Sequence, residues 1–121
     1  MKYPEISVII SNYNHEQWID RCIRSLSSQN ALKIDDYEII VTDDCSTDNS
    51  LKILRNCKNL YKNLKLIENK KNIGLQKSIN NAIRQSRGRY IVRVDSDDYV
   101  SEYFLFFMSF FLKKNRGYQA V

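Results

Sequence analysis

One proline and three glycines in 121 residues leave this chain without the Pro- and Gly-rich stretches that mark linkers or collagen-like repeats. Histidine is scarcer still, with His15 alone. The cysteines, Cys22, Cys45 and Cys57, are odd in number and share no CxxC spacing. A zinc site therefore has no paired His and Cys to draw on, and free thiols in a reducing compartment fit better than a disulfide framework. The longest apolar run, Tyr103 to Leu112, is about half of a membrane span. The opening MKYPEISVII lacks the length and cleavage site of a signal peptide. A cytoplasmic chain that does not cross a membrane is expected. No GxGxxG follows the first strand-like segment and no GxxxxGK[ST] occurs, which argues against a dinucleotide site and a P-loop.

What is present is apolar and basic. Hydrophobic residues make up 43% of the chain and its net charge is +5. That supports one domain with a real core and a surface suited to an anionic ligand. The Lys and Arg residues form no aromatic-interleaved patch, so nucleic acid is not among the expected partners.

Apolar segments alternate in character along the chain. Ile6–Ile10 is a short, nearly all-apolar run, as a strand covered on both faces requires, and Tyr37–Thr42, Leu64–Glu68 and Tyr90–Val94 are the further strand candidates. Between them, Trp18, Ile19, Cys22, Ile23 and Leu26 form one helical face, with Asn14 as its expected N-cap and Gln17 three residues on. Leu51, Leu54 and Cys57 form a second stripe. Leu75, Ile79, Ala82 and Ile83 form a third, running towards Gly88 as its expected C-cap. Strand and helix in strict alternation imply an α/β domain, a mostly parallel sheet with helices on both faces.

In such a sheet the ligand sits outside the carboxyl ends of the strands. Ser11-Asn12-Tyr13-Asn14 follows the first strand, Asp43-Asp44 the second and Asp95-Ser96-Asp97-Asp98 the fourth. Three acids in four positions repel one another unless a cation sits among them. Oxygen donors spaced D-x-D suit Mn²⁺ or Mg²⁺, which fill their remaining positions with water and substrate phosphates. The bland alternative is a turn of helix-capping aspartates. His15, at a polar helix start, is expected to be exposed rather than catalytic.

These segments together resemble the nucleotide-binding half of family 2 glycosyltransferases. The resemblance rests on Ile6–Asn14, Glu38–Asp48, Asn72-Ile73-Gly74-Leu75 and Gly88–Ile91 running into Asp95–Asp98, in the family's order and spacing, and it covers nearly the whole chain. It implies the Rossmann-like GT-A fold, a nucleotide-sugar donor, most simply a UDP-sugar, a divalent metal and a glycan or lipid-linked acceptor. It places Ser11, Tyr13 and Asp44 on the nucleoside base, Asp44 accepting from uracil N–H, while Asp43 caps the following turn. It places Asp95 near the ribose and metal, and Asp97 on the metal directly, with Asp98 a looser candidate. Lys77 and Asn80 are weaker candidates for nucleotide contact.

The chain departs from the family pattern in three places. Ser11 stands where many members have Pro or Thr, Cys45 replaces a common Gly in the D-D-G-S turn, and Ile79 falls where relatives place an Arg. The family's catalytic base lies downstream of the D-x-D strand, and here only 23 residues follow Asp98. Residues 1–121 are therefore expected to be the donor-binding part of a longer enzyme, with the sheet continuing near Tyr118–Val121 and the base beyond. The Phe-rich segment from Phe104 to Leu112 follows helical spacing. Any part of it left exposed would invite dimerisation or contact with the inner face of a membrane. A phospho-receiver domain and a haloacid-dehalogenase-like phosphatase also carry clustered acids on Mg²⁺. The first needs its acid pair after the first strand, and the second needs more than a hundred residues after its D-x-D.

Overall fold

The run Ile6-Ser7-Val8-Ile9-Ile10 is apolar on both sides of the pleat, and such a strand is stable only with helices over both faces. The structure, a computed structural model describing residues 3–116, shows that arrangement. Strand β1 (Ile6–Asn12) is followed by helix α1 (Ile19–Ser27), a 3₁₀ turn (Ile34–Asp36), β2 (Tyr37–Asp43) and α2 (Ser50–Leu60). Then come β3 (Leu64–Glu68), α3 (Leu75–Gln85), β4 (Tyr90–Arg93) and α4 (Phe104–Lys114). The four strands form one sheet in the order β3-β2-β1-β4. Every pairing is parallel, with Ile6 opposite both Tyr37 and Tyr90. The expected parallel neighbours are thus all present. The expected continuation of the sheet near Tyr118–Val121 lies outside the described residues.

The pleat sorts the core into two parts. Ile6, Val8 and Ile10 of β1 join Ile39 and Val41 of β2, and pack under α1, α2 and α4 through Ile19, Ile23, Leu26, Leu54 and Leu105. Ile9 and Ile40 point the other way, onto Ala82 and Ile79 of α3. Each of these large side chains contributes about 1.5–3 kcal/mol by leaving water. A charged residue at Ile9 would therefore break the fold from its centre.

Polar groups buried between strands are paired. Glu38 is only 5% exposed. It accepts from Ser7 Oγ at 2.6 Å and Arg87 N at 2.8 Å, and its other oxygen meets Lys65 Nζ at 2.8 Å. Burial pushes the Glu38 carboxyl up, but the bonds from Lys65, Ser7 and Arg87 outweigh it and hold the group below its ordinary value.

Three local expectations are corrected. Asn14 does not cap α1, which begins four residues later than that cap would require, after Trp18. Its φ is +56°, and its side chain serves another loop. Gly88 does not cap α3; the helix closes at Ser86 in extended backbone. Gly88 is instead required by close approach, since a Cβ there would lie 2.5 Å from the Ser7 amide nitrogen. The fourth strand ends at Arg93, one residue early, although Val94 N still donates to Ile9 O at 3.1 Å.

Candidate functional site

The carboxyl ends of β1, β2 and β4 each release a polar loop, and the sheet order brings the three loops side by side. The loop after β2 is built inward. Asp43 accepts from Ser46 N at 3.0 Å, Ser46 Oγ at 2.7 Å and Asn12 Nδ2 at 3.0 Å, which is the cap the sequence suggested. This turn forces Cys45 to φ +60°, so the loss of the usual glycine is tolerated as left-handed backbone, at a cost of about 1–2 kcal/mol.

Asp44 is 3% exposed, and its carboxylate is largely engaged with the protein itself. One oxygen accepts from Ile73 N at 2.8 Å and Asn69 Nδ2 at 3.1 Å; the other accepts from Gly74 N at 2.9 Å. The second oxygen thus holds a single bond among the described residues and retains acceptor capacity. Gly74, at φ +93°, leads into α3 in a conformation that favours glycine. Asp44, Ser11, Tyr13, His15, Asn72, Gly74 and Leu75 line a cavity of about 290 Å³. Three of the sequence-predicted base-pocket residues therefore meet. Lys77 and Asn80 are exposed on α3, and neither lines this cavity.

The loop after β4 is built outward. Asp95, Asp97 and Asp98 are all exposed, and each offers an oxygen within 4.8 Å of the others. Its backbone is held from behind. Asp98 N donates to Asp95 O at 3.0 Å, Val100 N to Ser25 Oγ at 3.1 Å, and Gln29 Nε2 to Ser101 O at 2.8 Å. The donor set fits a hard divalent cation: carboxylate oxygens only, open to solvent, with room for water or phosphate in the remaining positions. Arg93 reaches Asp95 Oδ1 at 3.3 Å, an exposed pair that offsets some of the repulsion. The acids also act at a distance. Burial first, then Asp98, Asp97 and Asp95, push the nearby Cys22 thiol up to about 12. All three cysteines are free.

His15 corrects its expectation. It is half-buried, and its Nδ1 lies 2.6 Å from Ser96 Oγ, in the middle of the acidic loop. Sequence reasoning gave no site role to this residue, nor to Asn69, Asn72 or Ser96. His15 and Ser96 are 81 positions apart, so no local pattern signals the contact.

Comparison with known proteins agrees with this geometry. The sequence profile described as glycosyl transferase family 2 matches residues 7–118. The chain belongs to glycosyl transferase family 2. It is 43% identical over 114 residues to the poly(ribitol-phosphate) beta-glucosyltransferase of Bacillus spizizenii, covering 93% of this chain and 18% of that relative. Among solved structures it resembles Staphylococcus aureus TarS 1–349 in complex with UDP-GlcNAc. There the TM-score is 0.85 at 34% identity, over 93% of this chain and 32% of the other. It also resembles a mannosyltransferase from Pyrobaculum calidifontis in complex with GDP-Man and Mn²⁺. That TM-score is 0.73 at 26% identity, over 81% of this chain and 29% of the other. This family 2 chain thus spans about a fifth to a third of the length of these relatives. The fold is GT-A, and the receiver and phosphatase readings are not favoured.

Proposed function

We propose that this chain forms the donor-binding part of a metal-dependent glycosyltransferase that takes a UDP-sugar and transfers the sugar with inversion to a glycan or lipid-linked acceptor. The observation that carries this reading is the placement of the Asp44 cavity and the open acidic triplet together at the carboxyl end of one parallel sheet. The likeness to a structure holding UDP-GlcNAc supports the choice of donor.

Each group has a role its surroundings suit. Ser11 and Tyr13 would flank the nucleoside base, and the remaining acceptor capacity of Asp44 would receive the base N–H. Asp95 and Asp97, with Asp98 beside them, would hold Mn²⁺ or Mg²⁺. When bound, such an ion neutralises charge developing on a diphosphate leaving group. The fixed loop backbone keeps the acids preorganised, so little reorganisation is needed as charge develops. No residue described here is assigned as the general base. On this reading the base belongs to sequence following Val121, in keeping with the greater length of the relatives. No helix among the described residues is long and apolar enough to cross a membrane. Tyr103, Phe107, Phe110 and Phe111 are exposed along α4, and this stripe is the surface on which a second copy or a membrane face would dock. A sizing column run with and without mild detergent separates those two.

The test is calorimetric titration of UDP with and without Mn²⁺. Affinity is expected to rise strongly with the ion in the wild type and not in Asp97→Asn, and equal affinity in both conditions would remove the metal from the reading. Asp44→Asn should weaken UDP binding by about 1–3 kcal/mol, the cost of an unpaired buried partner. A panel of nucleotide sugars given to a longer form of the enzyme, with products read by mass spectrometry, identifies donor and acceptor.

A further inference from the structure

The three carboxyl-end loops are joined through the short segment between β1 and α1. Asn14 N donates to Ser46 Oγ at 3.1 Å, and Thr47 N donates to Asn14 Oδ1 at 2.7 Å. Glu16 N donates to Asp48 Oδ2 at 3.0 Å. Residues on both sides of His15 are thus tied to the β2–α2 loop that carries Asp44. His15 itself makes the opposite connection. Its carbonyl accepts from Trp18 N and Ile19 N, both at 3.0 Å, which fixes its backbone at the entry to α1. From that fixed point the residue lines the Asp44 cavity while its ring shares the 2.6 Å hydrogen bond with Ser96.

Ser96 is the acidic loop's inward anchor. It is 2% exposed while Asp95, Asp97 and Asp98 around it are all exposed. The anchors from α1 hold the flanks of the loop: Cys22 Sγ donates to Asp95 O, and Ser25 Oγ accepts from Val100 N. The His15–Ser96 bond holds its centre, between the two acids of the D-x-D. A backbone rotation at Ser96 would reorient both neighbouring carboxylates, and the bond to the buried Oγ restrains that rotation.

We infer that His15 is a positioning residue that couples the nucleoside pocket to the cation site. It does so by fixing Ser96, and through Ser96 the spread of Asp95 and Asp97. This rests on the proposed donor and metal reading and adds to it a residue that touches neither reacting atoms nor metal. A purely structural histidine would lower stability, or lower UDP affinity equally with and without metal. A coupling residue changes the ratio between those affinities.

The experiment measures UDP affinity of the 121-residue chain with and without Mn²⁺, and Mn²⁺ affinity at saturating UDP by electron paramagnetic resonance. Wild type, His15→Ala, His15→Asn, Ser96→Ala and the double variant His15→Ala/Ser96→Ala are compared. His15→Ala and Ser96→Ala should each weaken Mn²⁺ binding about tenfold or more, the usual consequence of losing a group that orients metal-binding side chains. Each should also reduce the Mn²⁺-driven gain in UDP affinity, and by the same factor as the UDP-driven gain in Mn²⁺ affinity, because the coupling is reciprocal. The double variant should lose no more than either single one, since both remove one bond. His15→Asn, whose amide reaches about where Nδ1 does, should recover most of the effect. Full Mn²⁺ enhancement in folded His15→Ala overturns the inference alone, and so does strict additivity in the double variant. UDP binding by the wild type that ignores Mn²⁺ overturns it together with the metal reading. Should His15→Ala fail to fold, Ser96→Ala and His15→Asn decide by the same ratio.

Discussion

The two acidic loops of this domain are alike in sequence and opposite in construction. Asp43-Asp44 ends β2, and its carboxylates are buried and engaged by amides of the protein itself. Asp95, Asp97 and Asp98 end β4 with exposed oxygens crowded within 4.8 Å. The first pair uses its charge to shape the site. The second set leaves its charge at the surface, where the proposed cation would meet it. An acid cluster at a strand end is therefore not one kind of object, and burial together with the available donors decides which kind it is.

The strongest way to break this contrast is to remove Asp44. Asp44→Ala leaves Ile73 N and Gly74 N without their acceptor in a partly buried place and takes from Asn69 Nδ2 one of its two acceptors. A loss of about 3 kcal/mol in unfolding free energy is expected by urea denaturation. A loss below about 1 kcal/mol would mean that the loop is not held by this carboxylate.

A buried acid at the amino-terminal end of the strands, opposite the site, sharpens the contrast through pH. Glu38 has its folded-state pKa held below the ordinary 4.5. Its contribution is therefore fully present above about 4.5 and is lost as pH falls through the lower folded value. Stability profiles of wild type and Glu38→Gln should converge on acidification through that window. Parallel profiles would show that Glu38 is not perturbed.

The smallest effect is expected in the open set. Without metal, Asp97→Asn removes repulsion between exposed charges and should change stability by no more than about 0.5 kcal/mol, in the stabilising direction. A large loss would place Asp97 with the structural acids.

Much of this was legible in the sequence because much of it is local. β1 and β2 are continuous apolar runs, and the stripe of Ile19, Cys22, Ile23 and Leu26 is the buried face of α1. The acids at strand ends were visible for the same reason. What escaped depends on residues far apart in the chain. Asn14 reads as a helix cap from its neighbours, yet its side chain serves Thr47. Gly88 reads as a helix stop, yet Ser7 is what excludes a side chain there. Asp44 showed its charge but not the amides of Ile73 and Gly74 that occupy it. The 3₁₀ turn at Ile34–Asp36 has too few residues to carry a period.

The position of β1 between β2 and β4 has one more consequence. The Asp44 loop leaves β2 and the acidic loop leaves β4, so the strand ends from which they grow are two interstrand spacings apart, about 9–10 Å. Backbone hydrogen bonding fixes that interval, and side-chain substitutions in the loops leave it unchanged. The domain thus works as a gauge with jaws of constant separation. Under the proposed donor-binding role, loop residues would alter which base or sugar is gripped while the span between the strand ends stays the same, so drift in specificity would come easily and drift in ligand length would not.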